Sequence, residues 1–197
     1  SETEISTPDE FSLSGQLLIA MPNMLDPNFA GSGVYLCEHS VKGAMGLVIN
    51  RPTDLDIHSL LDKINVNVPD ALPAHFPVMM GGPVAAERGF VLHTEPLDWS
   101  SSLKVNDELS LTTSRDILEA VGRGEAPSKW LITLGYAGWG AGQLEEEIAL
   151  NGWINAELSR AQMAEIIFNT PAAQRYQRAM QALGFDPADL SGQVGHA

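Results

Sequence analysis

The stretch YAGWGAGQLEEEI, residues 136–148, sets three glycines among other small residues around one tryptophan, with a glutamine and three glutamates close behind. It follows KWLITLG (129–135), a strongly apolar run that reads as a strand. QLEEEIALNG (143–152) reads as a helix closed by Asn-Gly. The passage is therefore a strand-to-helix junction. A glycine-rich junction of this kind leaves N–H groups free at the helix start, where they bind anions. Phosphate loops of this geometry also carry a lysine near the glycines. None stands here, and the glutamates themselves satisfy the positive end of the helix. The junction is thus expected to be structural first. Gly138, Gly140 and Gly142 permit backbone angles that other residues resist, so Gly140→Val should cost about 1–3 kcal/mol. Trp139, flanked by glycines, is not expected in a regular strand; it either packs as a lid over the core or lines a cleft.

Working outward, GQLLIAMP (15–22) is a short apolar run closed by proline and predicts a buried strand. MLDPNFAGSG (24–33) is rich in turn residues. VYLCEH (34–39) and AMGLVIN (44–50) predict a hairpin across SVKG. DIHSLLDKI (56–64) fits a short helix capped by Asp54 or Asp56. PVMMGGP (77–83), GFVLHT (89–94) and ELSLTTS (108–114) predict strands, the first two joined by a Gly-Pro turn. SRDILEAVGRG (114–124) has a capping serine and a terminal glycine. WINAEL (153–158) predicts a last strand, and two helices follow Ser159 and Thr170, with Pro171 opening the second and Gly184 past its end. Residues 1–13 predict a flexible arm, 14–190 one domain and 191–197 a flexible tail. Strands dominate the first half and helices the end, which is the α+β pattern.

The chain has 197 residues and a net charge of −14, with 44% apolar residues. Such a composition is globular. No two Lys or Arg residues are adjacent. Nucleic-acid surfaces need clustered cations, so direct DNA contact is not expected, and neither is binding to an anionic membrane. No apolar run is long enough to span a bilayer, and no basic start with an apolar segment predicts secretion. Cys37 is the single cysteine, which fits a reducing cytoplasm.

In CEH, strand alternation puts Cys37 and His39 on one face, about 7 Å apart. They are half of a metal site at most, and two ligands do not make one; no metal and no cofactor are expected. Cys37 reads as a buried apolar residue or a reactive thiol, and His93 joins the pair only if folding brings the strands together. An enzyme built on Cys37, His39 or His93 is one alternative. NRP (50–52) and Arg88 at a strand start offer two cations. They either pair with the glutamate run or hold a small anionic ligand beside Gly81–Gly82 and Trp139. The candidate ligand-binding set is Asn50, Arg51, Gly81, Gly82, Arg88, His93, Trp139, Gln143 and Glu145. No Gly-x-Ser-x-Gly turn or Ser-His-Asp order supports a hydrolase.

GQLLIAMPNMLDPNF, VYLCEHSVKGAMGLVINRP, MMGGPV, RGFVLHT and YAGWGAGQLEEEI, followed by IIFNTP and RYQRAMQALGFD, occur in that order over residues 14–187. On these motifs the chain resembles the YqgE/AlgH family of bacterial proteins. It departs from the usual pattern at Ala141, where members have proline. The resemblance implies a single compact domain with a mostly antiparallel, bifurcated sheet curled towards a barrel and flanked by helices. It implies no enzyme class. Some members are labelled transcriptional regulators linked to alginate production, so the expectation is a cytoplasmic binding or regulatory protein. It would act through an unknown protein or a small anionic molecule rather than by touching DNA, the alternatives being the enzyme and a literal DNA-binding regulator.

Overall fold

The computed structural model describes residues 12–67, 76–95 and 98–185. The expected arm, apart from residues 12 and 13, and the expected tail lie outside the described residues.

The predicted hairpin forms. β2 (Gly33–Ser40) runs antiparallel to β3 (Gly43–Val48), with Val34 opposite Val48 and Ser40 opposite Gly43. β1 (Leu17–Ala20) lies between β2 and β10 (Trp153–Ala156), antiparallel to both. All four residues of β1 are completely buried, because the sheet is covered on both faces; a strand in that position reads as a continuous apolar run.

The centre of the sheet is β9 (Trp130–Gly140). One edge pairs antiparallel with β6 (Val84–His93). The other edge divides. Thr133 and Leu134 pair in parallel with Met79 and Met80 of β5 (Pro77–Met80), whereas Ala137 to Gly140 pair antiparallel with Gly46 to Gly43 of β3. At the division Gly81 N–H donates to Leu134 O at 2.7 Å and Gly81 O accepts from Val48 N–H at 2.8 Å. The backbones cross so closely that a Cβ on Gly81 would lie 2.3 Å from Gly135 O, and one on Gly82 2.1 Å from the Tyr136 carbonyl carbon. Gly135 turns the strand at φ +76°. MMGGP is therefore the fork of the bifurcated sheet, and its two strands do not pair with each other: β5 and β6 lie on opposite edges of β9.

Beyond the fork, β4 (Pro52–Asp56) pairs with β5, β8 (Ser110–Thr112) with β6, and β7 (Ser102–Lys104) with β8. The path β10-β1-β2-β3-β9-β6-β8-β7, with β4–β5 branching from it, is curled into a half-barrel. Short, polar β4 and β7 were not predicted.

Five helices occur among the described residues: α1 (Ile57–Lys63), α2 (Arg115–Arg123), α3 (Gln143–Ala149), α4 (Arg160–Phe168) and α5 (Ala172–Ala182). Asp56 is the cap of α1, accepting from Ser59 N–H at 2.8 Å. Ser159 and Gln162 form a reciprocal capping box on α4. α4 and α5 cover the concave core of Leu17, Tyr35, Leu47, Met79 and Leu92. α3 covers a second cluster around Leu18, Leu36, Trp139 and Trp153 on the opposite face. α1 and α2 enclose Val78, Val91 and Ile132. Among the described residues no helix is long and apolar enough to cross a membrane.

Candidate functional site

The junction that opened the sequence reading differs from expectation in one respect. β9 does not stop before the glycines; it continues to Gly140, and Trp139 sits in regular pairing opposite Ala44. Gly138 and Gly140 keep ordinary negative backbone angles, and only Gly142 adopts the left-handed region, at φ +74°. A Cβ on Gly140 meets nothing nearer than Gln143 Oε1 at 3.8 Å. The expected strain at Gly140 is thus absent.

Strand alternation directs Trp139 onto the outer cluster, where it is 5% exposed. Its indole meets Phe29 in a stack with centroids 5.9 Å apart and Trp153 edge-on at 5.9 Å. Helical spacing then brings Glu147 under both indoles. Glu147 Oε1 accepts from Trp139 Nε1–H at 3.1 Å and from Trp153 Nε1–H at 3.0 Å; Oε2 accepts from Gln143 Nε2–H at 3.0 Å. Gln143 Oε1 in turn accepts from Gly140 N–H at 3.0 Å. One carboxylate thus ties strand, helix and β10 together. Asn50 and Arg51 hold the facing wall. Asn50 Nδ2–H donates to Gly31 O at 2.9 Å and Oδ1 accepts from Gly33 N–H at 3.0 Å. The Arg51 guanidinium donates to Asn28 O and Ala30 O.

Between these walls lies a groove of about 330 Å³. Trp139 and Phe29 form its apolar floor, and Asp26, Gln143 and Glu147 supply polar atoms. Leu25 and Leu150 stand on its rim, 92% and 70% exposed. No Lys, Arg or His lines it.

The remaining candidates lie elsewhere. Gly81 and Gly82 are enclosed at the fork. His93 is completely buried. Its Nδ1–H donates to Thr94 O at 2.9 Å, since a carbonyl only accepts, and Nε2 therefore accepts from Thr112 Oγ1–H at 2.6 Å. Burial holds its pKa below the ordinary value, against smaller opposing effects of Thr94 O and Glu95. Arg88 lies over the Phe90 ring at 5.9 Å and lines a separate hollow. Glu145 Oε1 approaches His39 Nε2 at 3.4 Å, while His39 Nδ1 accepts from Leu13 N–H at 2.9 Å.

Cys37 and His39 do not share a face. Leu36 opposes Gly46 and Glu38 opposes Met45, so β2 carries one extra residue, a bulge at Cys37. Cys37 faces the concave core with Tyr35, and parity is reset so that His39, opposite Ala44, faces α3. Burial, reinforced by Glu38, pushes the thiol well above its ordinary range. None of Cys37, His39 and His93 lines the Trp139–Glu147 groove or the hollow beside Arg88. Among the described residues no group of three His, Cys, Asp or Glu side chains is placed to hold a metal ion.

Glu147, Trp153 and Phe29 were not singled out from the sequence. The signal for Glu147 was its four-residue spacing from Gln143, which places both on one face of a helix.

The AlgH-like family model matches residues 17–188. A UPF0301 protein of Ralstonia nicotianae is 53% identical over 194 residues, 98% of this chain and 100% of the relative. One from Burkholderia cenocepacia is 53% identical over 192 residues, 96% and 97% of the two chains. The solution structure of the AlgH protein from Pseudomonas aeruginosa superposes with a TM-score of 0.76 at 44% identity, covering 94% of this chain and 96% of that one. A crystal structure from Corynebacterium diphtheriae shares the fold at 19% identity, with a TM-score of 0.67 and 87% of both chains covered.

Proposed function

The chain belongs to the AlgH-like family, and from that premise we propose that it is a cytoplasmic binding protein that docks a segment of a partner protein in the Trp139–Glu147 groove. The observation that carries this reading is the pair of leucines, Leu25 and Leu150, left almost bare on the rim of an apolar groove. Exposed apolar side chains gathered around a concave surface mark interaction sites. The groove contains carboxylates and no cation, which favours a segment that presents Lys or Arg between apolar side chains. An amphipathic helix meets both requirements. Any regulatory effect would then pass through the partner, because a net charge of −14 opposes contact with DNA phosphates.

The test uses two synthetic amphipathic helices of about four turns, one pairing Leu with Lys and the other Leu with Glu, with binding followed by NMR at the Trp139 indole N–H and the Leu25 and Leu150 methyls. The Leu/Lys peptide should shift these signals, and Leu150→Asp should abolish the shift. Charge attraction alone predicts the opposite, since Leu150→Asp makes the protein more acidic. Tighter binding by that variant, or shifts that avoid the groove, would refute the reading.

A further inference from the structure

The second hollow, about 300 Å³, opens on the other face of β9, between β2, β6 and the β7–β8 edge. Its floor is Phe90 and Tyr136, edge to face at 5.4 Å. Two charges of opposite sign line it, Glu38 and Arg88. Among the described residues neither enters an ion pair. Glu38 owes its place to the β2 bulge. Without the extra residue at Cys37, strand parity would send its side chain to the α3 face; with it, Glu38 lies opposite Met45, which also lines the hollow. Bulges that re-aim a side chain are frequent beside functional sites.

The hydroxyls on the β7–β8 side are polarised as well. The Thr112 hydroxyl donates its hydrogen to His93 Nε2, so Thr112 Oγ1 accepts from Ser102 Oγ–H at 2.7 Å. Ser102 has spent its single hydrogen inward and offers only lone pairs to the hollow it lines. The hollow therefore presents acceptors at Glu38 and Ser102, a planar cationic donor at Arg88, and an aromatic floor.

We propose that this hollow binds a small zwitterion with an apolar body, of which an α-amino acid with an aromatic or branched side chain is the simplest form. Its carboxylate pairs with the Arg88 guanidinium, which suits two-point recognition. Its ammonium meets Glu38 and Ser102 Oγ, and its side chain lies on Phe90 and Tyr136. The volume is at the small end of the range for ligand sites, which suits a molecule of this size. This site is independent of the groove and uses none of its residues.

Isothermal titration of the protein with L-phenylalanine, phenylpropionate (no ammonium) and phenethylamine (no carboxylate) tests the assignment. L-Phenylalanine should bind at least about tenfold more tightly than either analogue, each of which leaves one charge unmatched. Glu38→Gln should remove the preference over phenylpropionate, and Arg88→Gln the preference over phenethylamine. Both residues are exposed on strands, and an unchanged thermal melt confirms that each variant is folded. The proposal fails if L-phenylalanine does not bind at about 10 mM, if either analogue binds as well, or if the folded variants retain the parent's preferences.

Discussion

Replacing Glu147 by alanine leaves two indole N–H groups, at Trp139 and Trp153, without their acceptor. The indoles are 5% and 2% exposed, so neither reaches bulk water freely. A hydrogen bond to a charged group contributes about 1.5–3 kcal/mol, and the two together about 3–6. The groove is open beside Glu147, so a water molecule can occupy the vacated position and recover part of this. The expected loss is about 2–3 kcal/mol. Glu147→Gln keeps one oxygen for the indoles but turns a donor towards Gln143 Nε2, and should cost about 1 kcal/mol. Gln143 cannot turn over without giving up Gly140 N–H, so the Gln variant is not neutral either. Urea melts followed by tryptophan fluorescence measure both values, and two-dimensional NMR reports the indole N–H positions directly. If Glu147→Ala lies within about 0.5 kcal/mol of the parent, the carboxylate does not hold the two indoles and the reasoning fails.

Gly82→Ala should cost more than about 3 kcal/mol or prevent folding, because the added Cβ falls on the Tyr136 backbone, whereas Gly140→Ala should change stability by less than about 1 kcal/mol; denaturant melts of the two variants separate a packing-fixed glycine from an unconstrained one. Cys37 should react slowly with a thiol reagent in the native state and rapidly once unfolded, since its burial disfavours the thiolate; fast native labelling at neutral pH would refute this. His93 has a folded pKa below its ordinary value of 6.5, so the unfolded chain takes up a proton that the folded chain refuses. Its contribution to stability is complete above about pH 6.5 and is lost as pH falls from there towards the folded value. Melts at about pH 7.5 and 5.5 should show a larger acid loss for the parent than for His93→Gln, and equal losses would contradict it.

Much of the fold was legible because its signals were local. The apolar run at 15–22, the hairpin about SVKG, the capped helices at 56–64 and 159 onward, and the chain order of motifs all survive in the structure. The fork was visible only as the glycine pair 81–82, because what makes those glycines obligatory is the backbone of residues 135–137, far away in sequence. β4 and β7 escaped notice because they are short, polar edge segments defined by their partners. The face assigned to Cys37 and His39 failed at one residue: a bulge shifts parity without leaving a mark in composition. Trp139 and Gln143, both in the candidate set, line one groove, but the carboxylate that joins them was counted only as part of a charged run. Arg51 and Arg88 were read as a pair; one is committed to loop carbonyls and the other faces a hollow of its own.

The position of β9 in the chain has a consequence for biosynthesis. This strand supplies edges to β3, β5 and β6, yet it is completed only at residue 140. β1 likewise waits for β10, which ends at residue 156. A nascent chain emerging from the ribosome at about 5–20 residues per second can therefore pair β1, β2 and β3 with one another and β6 with β8, but one edge each of β1, β3, β5 and β6 lacks its partner until the last third is made. The protein is a late closer: its first two-thirds can form separate strand pairs, but the open edges that β9 and β10 cover must be kept from other chains until the last third emerges.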